Sequence, residues 1–284
     1  MPSLLVCTDG SIYAPSIYRH AAWAALRLGA QVQVLHVIEH HRELSPIHDL
    51  SGAIGIDASA ELTAELAKLE ETQGRVARLK GKVILEEAQR QFTDAGVSAV
   101  NTLQRHGTFV ETLEELEPGA ELVVVGKRGE HADFVKGHLG SNFEDLIRIS
   151  VRPVLVAARA FQPIHRFLIA FDDSPSARKA VAYVASSPLL RGLDCHLMMV
   201  GRADPAHSSA LDRAREQLTQ AGYSVTAHIK PGSAGTAIAE EVKQASVDLL
   251  VMGAYGHSVI REFIVGSTTT KMVRTCAVPV LMFR

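Results

Sequence analysis

Residues 4–11 read LLVCTDGS, and residues 167–174 read FLIAFDDS. Each is an apolar run of buried-strand length that ends in an aspartate, with a serine two residues on. An alanine-rich helical stretch follows each, APSIYRHAAWAALRLGA at 14–30 and SPSARKAVAYVASS at 174–187. Ser11 and Ser174 stand where N-caps belong, with Pro15 and Pro175 in the early turn and Gly29 as a C-terminal stop. A second strand comes next, QVQVLHV at 31–37 and CHLMMV at 195–200.

The self-similarity runs on to the end of the chain. ELVVVGKRG at 121–129 matches DLLVMGAYG at 248–256, and GSNFEDLIRISVRPVLV at 140–156 matches GSTTTKMVRTCAVPVLM at 266–282. Both halves therefore read β-α-β-α-β-α-β-α-β. Such alternation demands a parallel sheet with helices on both faces. The expected fold class is α/β: two tandem doubly wound domains, each a five-stranded parallel sheet. Right-handed crossovers leave a switch point beside the first strand of each, where ligands bind at the carboxyl ends. The linker ARAFQPI at 158–164 divides the chain into domains 1–159 and 160–284.

The copies differ in length. Asp9 to Gly126 is 117 positions and Asp172 to Gly253 is 81, an excess of 36 in the first half. Most of it lies in 39–95, which opens with EHHRELSPIHD and continues as a helical pattern of Leu62, Leu66, Leu69, Val76, Leu79, Val83 and Leu85. Gly74 and Gly81 inside that pattern predict a weakened or bent helix. The segment reads as a long surface helix packed on the sheet, or as a docking face for a partner or second subunit.

Composition narrows the classes. Apolar residues are 47% and aromatics only 5%, so the cores must be Val, Leu, Ile and Ala. The net charge is -2 without a basic block, which gives a nucleic-acid partner no electrostatic support. Cys7, Cys195 and Cys276 are scattered and read as reduced thiols. The start MPSLLVCTDGS lacks the marks of a signal peptide, and no apolar run nears the ~18–20 residues that span a membrane. The expectation is a cytoplasmic protein without a membrane or nucleic-acid partner.

The chemistry sits in the second half. Gly253-Ala-Tyr-Gly256 is followed by nine residues and then Gly266-Ser267-Thr268. A strand delivers the chain to the carboxyl edge, the glycines allow a ligand close to the backbone, and Ser267 and Thr268 open a helix. Its N-terminus offers free N–H groups and a partial positive charge, which suits phosphate.

With the Asp-x-Ser after the first strand, this pattern resembles the ATP-binding signature of the universal stress protein family, in its tandem two-domain form. The resemblance covers both halves and implies a Rossmann-like fold of the adenine nucleotide alpha-hydrolase type. It also implies that the last strands, Val154–Val156 and Val280–Met282, pair across a pseudo-twofold inside the chain and so hide two edges. It places Asp172 near the adenosine, Val200 against adenine, and Gly253 and Gly256 along ribose and phosphates. Gly266, Ser267 and Thr268 hold the phosphates, with Mg2+ alongside. His257 and Arg261 are loop residues within reach of phosphate oxygens, or simply solvated. The implied cofactor is ATP, or ADP or AMP, because the three share the adenosine contacts.

The first half departs from the pattern. Gly126-Lys-Arg-Gly129 is followed by ten residues before Gly140-Ser141-Asn142, and that loop carries Glu130 and Asp133, which oppose a triphosphate. Lys127 and Arg128 offset them in part. Asp9 and Val37 match the adenosine-side positions. Binding or a degenerate structural copy are both open for this half.

Other motifs fail. There is no Gly-x-x-x-x-Gly-Lys-Ser/Thr, no Gly-x-Gly-x-x-Gly and no Gly-x-Ser-x-Gly. His36-Val-Ile-Glu39-His40 fits a zinc pattern that needs a helix. On a strand end the two imidazoles lie ~13 Å apart. His40, His41 and His48 are a candidate adventitious metal site, and Cys7 reads as a packed core thiol. No general base or positioned nucleophile is evident. The reading is a nucleotide-binding stress-response protein that regulates by binding. A slow ATPase and a pure interaction module with vestigial sites are the alternatives, and a homodimer stays open.

Overall fold

The computed structural model describes residues 1–39, 56–127, 141–254 and 267–284. The first half runs β1 (Ser3–Cys7), α1 (Ala14–Leu28), β2 (Gln31–Ile38), α2 (Ile56–Asp94), β3 (Val100–His106), α3 (Phe109–Leu116), β4 (Leu122–Gly126), α4 (Ser141–Ile149) and β5 (Val154–Ala157). The second runs β6 (Arg166–Phe171), α5 (Pro175–Ser186), β7 (Asp194–Val200), α6 (Pro205–Gln220), β8 (Val225–Lys230), α7 (Ala234–Gln244), β9 (Leu249–Gly253), α8 (Ser267–Thr275) and β10 (Val280–Phe283).

Within each half the strands are parallel and doubly wound. The two five-stranded sheets do not stand apart. They join into one ten-stranded sheet of order β3-β2-β1-β4-β5-β10-β9-β6-β7-β8. The join is antiparallel, with Val156 opposite Val280, Leu155 opposite Leu281 and Val154 opposite Met282. Two further clasps cross it. Lys127 Nζ donates to the carbonyls of Cys276 at 2.5 Å and Val278 at 2.9 Å. Arg27 donates to the carbonyls of Leu189 and Arg191.

Alternation along the strands sorts the core. Leu4 and Val6 face one layer with α1, α2, α5 and α6. Leu5 and Cys7 face the other with α3, α4, α7 and α8. Both layers are built mainly of short aliphatic side chains, as the composition requires. Burial pushes the Cys7 thiol up to about 12, with Glu117 adding to the shift, so it is inert packing.

Helix starts differ between the copies. Ser174 caps α5, its Oγ accepting from the Ala177 N–H at 3.2 Å. Ser11 does not cap α1. The chain makes a turn through Ile12 and Tyr13, and the Ala14 N–H is taken by the Ser11 carbonyl at 2.9 Å. A backbone acceptor has replaced the side chain. Gly29 ends α1 in the left-handed region, as expected of a C-terminal stop.

Most of the excess of the first half is one helix. α2 has 39 residues against 16 in α6. At 1.5 Å per residue it is about 58 Å long. It is continuous through Gly74 and Gly81, which do not interrupt it. At Gly81 a Cβ would stand 2.5 Å from Gln104 Nε2 and 2.7 Å from His36 Cδ2. That glycine lets the helix settle onto β2 and β3. Beyond it Leu85, Ala88 and Phe92 are buried, while no residue from 63 to 80 is.

His20 on α1 is fully buried, its Nδ1 donating to the Ser16 carbonyl at 2.7 Å and its ring edge-on to Phe161 of the linker at 5.0 Å. Burial, helped by Lys127 and Arg19, pushes its pKa from 6.5 down to about 4. Between these values the unfolded chain holds more protons, so stability is lost as pH falls from about 6.5 through about 4, by about 3 kcal/mol. His20→Phe removes that term. Urea denaturation at pH 7 and pH 4 should show the acid loss smaller in the variant by about that amount.

Candidate functional site

In the second half β6 lies between β9 and β7, so its carboxyl end is the point where strand order reverses. Asp172 follows β6, is exposed, and its Oδ1 accepts the Ser174 N–H at 3.0 Å. Asp173 sits at φ +60°, a region that asparagine and aspartate tolerate better than other non-glycine residues. Its carboxylate takes two bonds from Arg178, at 2.7 and 2.8 Å, with Arg213 at 3.8 Å. Val200 ends β7, half-buried, in register with Lys230 of β8.

Gly253 ends β9. A Cβ there would fall 2.3 Å from Ser176 Oγ and 3.0 Å from the Ala177 nitrogen. The missing side chain is therefore used by the first turn of α5, which presses against the end of β9. This is a packing reason for a glycine that the sequence assigned to ligand approach. Ala254 donates its N–H to Phe283 at 2.7 Å, and its carbonyl accepts from Thr269 Oγ1 at 3.1 Å. Thr269 is in the first turn of α8, which opens at Ser267 and Thr268. The N-termini of α5 and α8 thus meet at one strand end. Neither has an acidic residue in its first turn. The N-terminus of α8 gives that place a positive bias suited to an anion, whereas on α5 the Ala177 and Arg178 N–H groups are already taken by Ser174. Gly256, His257, Arg261 and Gly266 lie outside the described residues.

The first half repeats the start of this arrangement. Asp9 Oδ1 accepts the Ser11 N–H at 2.9 Å, and Gly10 takes the left-handed place of Asp173 at φ +72°. Val37 is half-buried in β2 opposite Arg105, and Gly126 ends β4. Ser141 and Asn142 open α4, as Ser267 and Thr268 open α8. Gly129 and Gly140, with Arg128, Glu130 and Asp133, lie outside the described residues.

Two contacts separate the copies. A Cβ on Gly10 would be 2.4 Å from Ile84 Cδ1, so α2 lays Ile84 directly on the turn after Asp9. Matching TDAGV at 93–97 with TQAGY at 219–223 puts Ala210 at the place of Ile84. That register was open to inspection in the sequence and identifies the side chain that narrows the first copy. Lys127, read as offsetting charge in the phosphate loop, turns the other way into the clasp on Cys276 and Val278. Burial lowers its pKa to about 8. Backbone carbonyls across the domain join outcompete the loop for its ammonium group. The pairs of Asp173 with Arg178 and Arg213 had no sequence signal beyond ordinary charge.

His36 lies within β2 and its Nδ1 donates to the Thr8 carbonyl at 2.9 Å. The first three residues of the zinc pattern therefore sit on a strand. His40, His41 and His48 are outside the described residues. Among the described residues no three His, Cys, Asp or Glu side chains come together to hold a metal. No helix among them is long and apolar enough to cross a membrane.

The repeated switch points and helix-capped strand ends agree with comparison to known proteins. A model of the universal stress protein family matches residues 1–158 and again 163–284. The chain belongs to the universal stress protein family. It is similar to a universal stress protein of Synechocystis sp., 38% identical over the full length of both chains. A universal stress protein of Mycolicibacterium smegmatis is 25% identical over 99% of this chain and 96% of its own. Among solved structures, a universal stress protein of Archaeoglobus fulgidus shares the fold at a TM-score of 0.74 and 21% identity, covering 99% of this chain and 98% of that one.

In this universal stress protein the contact of Gly253 with α5 is directly testable. Gly253→Ala forces the Ala177 backbone to move and should cost about 1–3 kcal/mol in urea denaturation. Gly119→Ala is the control, since a Cβ there meets nothing within 4 Å. Equal losses in both would refute this packing role.

Proposed function

We propose that the chain binds an adenine nucleotide, ATP with Mg2+ foremost, and acts in the stress response by binding and regulation, without a catalytic residue of its own. The observation that carries the reading is the meeting of the α5 and α8 N-termini at the end of β9, free of acidic residues in either first turn. The spacing of Gly253, Gly256, Gly266, Ser267 and Thr268 supports it from the sequence.

In this reading Asp172 and Val200 meet the adenosine. Gly253 and Gly256 line ribose and phosphates, and Gly266, Ser267 and Thr268 hold the phosphates, with His257 and Arg261 within reach. Mg2+ arrives with the phosphates. Asp173 is a poor candidate to hold it, being engaged by Arg178 and Arg213. The units are residues 1–159 and 160–284, and the setting is the cytoplasm.

The second half is the stronger site. In the first, Ile84 rests on Gly10 beside Asp9, and the sequence puts Glu144 in the first turn of α4 where α8 has Thr270. A carboxylate there opposes an incoming phosphate. Asp9, Val37, Gly126, Gly129, Gly140, Ser141 and Asn142 then form a weaker copy.

Denaturing freshly purified protein and separating the released nucleotide by chromatography tests this. About one equivalent of ATP is expected, lost in Gly266→Val and kept in Gly140→Val. ADP or AMP in its place would keep the adenine reading and replace ATP. Two equivalents, one lost in each variant, would remove the asymmetry. No nucleotide released, and none taken up with magnesium, would sink the reading.

A further inference from the structure

α2 carries a second feature that nucleotide binding does not use. Leu69, Val76, Leu79 and Val83 are 48%, 58%, 59% and 64% exposed. They make up half of the large exposed apolar residues recorded for the described chain. At 100° per residue they fall within an arc of about 80°. Gly81, Leu85, Ala88 and Phe92, which face the sheet, lie roughly opposite on the same helix. The stripe therefore points away from the body of its own chain. It also begins on the part of α2, before residue 79, that has no counterpart in α6.

The charges along this helix are segregated. Glu65, Glu70 and Glu71 with Lys68 give residues 63–71 a net charge of -2. Arg75, Arg78, Lys80 and Lys82 give residues 75–82 a net charge of +4. All eight side chains are on exposed residues. The centres of the two segments are about 17 Å apart along the axis, beyond the screening length of about 8 Å at physiological salt. A parallel, in-register partner of the same sequence would place cation on cation. An antiparallel one sets the acidic segment of each copy beside the basic segment of the other.

We propose that the free face of α2 pairs antiparallel with α2 of a second copy of this chain, crossing near Thr72 and Gln73, to form a two-fold symmetric dimer. In that register Leu69 meets Val76 of the other copy. Glu65, which lies in the stripe, meets Lys80 of the other copy. Each contact occurs twice, as two-fold symmetry requires. Gly74, beside the crossing, has only Arg78 Nη1 near its missing Cβ, at 3.5 Å, and so keeps the helix slender there. The same pattern on a flat or uniformly charged partner would leave one of the two segments opposed by like charge.

Sedimentation velocity on the full chain tests the pairing. The expected species has twice the 30.7 kDa chain mass. Leu69→Asp with Val76→Asp should return it to a single chain mass with an unchanged circular dichroism spectrum, since both residues face solvent in the monomer. Direction is read by oxidation of single-cysteine variants. Glu65→Cys mixed with Lys80→Cys should cross-link, and Glu65→Cys alone should not. A wild-type chain that stays monomeric at all concentrations overturns the proposal. So does a dimer that survives the double aspartate variant, and so does self-linking of Glu65→Cys, which would mean a parallel pair.

Discussion

The antiparallel pairing of β5 with β10 is the constraint on which the architecture rests. Each half ends in a strand of four residues that would otherwise be a bare sheet edge, with unpaired N–H and C=O groups. Paired with each other, the two become the middle of a ten-stranded sheet. The two packing layers then run without a break from one half into the other. Arg27 and Lys127 reinforce the same junction from two places, each with a cation on main-chain carbonyls of the opposite half.

Against that shared frame the two halves part company at the carboxyl ends of β1 and β6. Ser174 caps its helix by side chain, whereas the same N–H in the first half is satisfied by the Ser11 carbonyl. A left-handed residue follows each aspartate, but one is Asp173 braced by arginines and the other is Gly10 under Ile84. The last of these traces to one element. α2 is long, comes down tightly on β2 and β3 at Gly81, and carries Ile84 over the neighbouring turn as it does so.

Much of the fold was legible because buried parallel strands are short apolar runs set off by aspartate and glycine. The central pairing of 154–156 with 280–282 was expected from the family resemblance, and the strands do pair. The failures share a cause. Gly81 looked like a helix breaker and is a point of close approach. At Gly253 the packing against Ser176 was missed. Lys127 looked like an offset to Glu130 and Asp133 and reaches across the domain join. Ser11 looked like a cap and lost that role to its own carbonyl. Each depends on what tertiary structure brings near, and nothing in local spacing encodes that. Of the candidate phosphate loop, Gly253 and the opening of α8 are described, while Gly256, His257, Arg261 and Gly266 lie outside the described residues.

The covalent link between the halves has a consequence of its own. Two copies held in one chain meet at a fixed effective concentration, so dilution cannot separate them at β5 and β10. A symmetric pair of separate chains must also place every substitution twice, once on each side of its axis. Here Lys127 has no twin, since Ala254 stands at the matching place and is satisfied by Phe283. The tether thus frees each copy to specialise alone, one lengthening a helix over the turn after its first strand while the other keeps the shorter form.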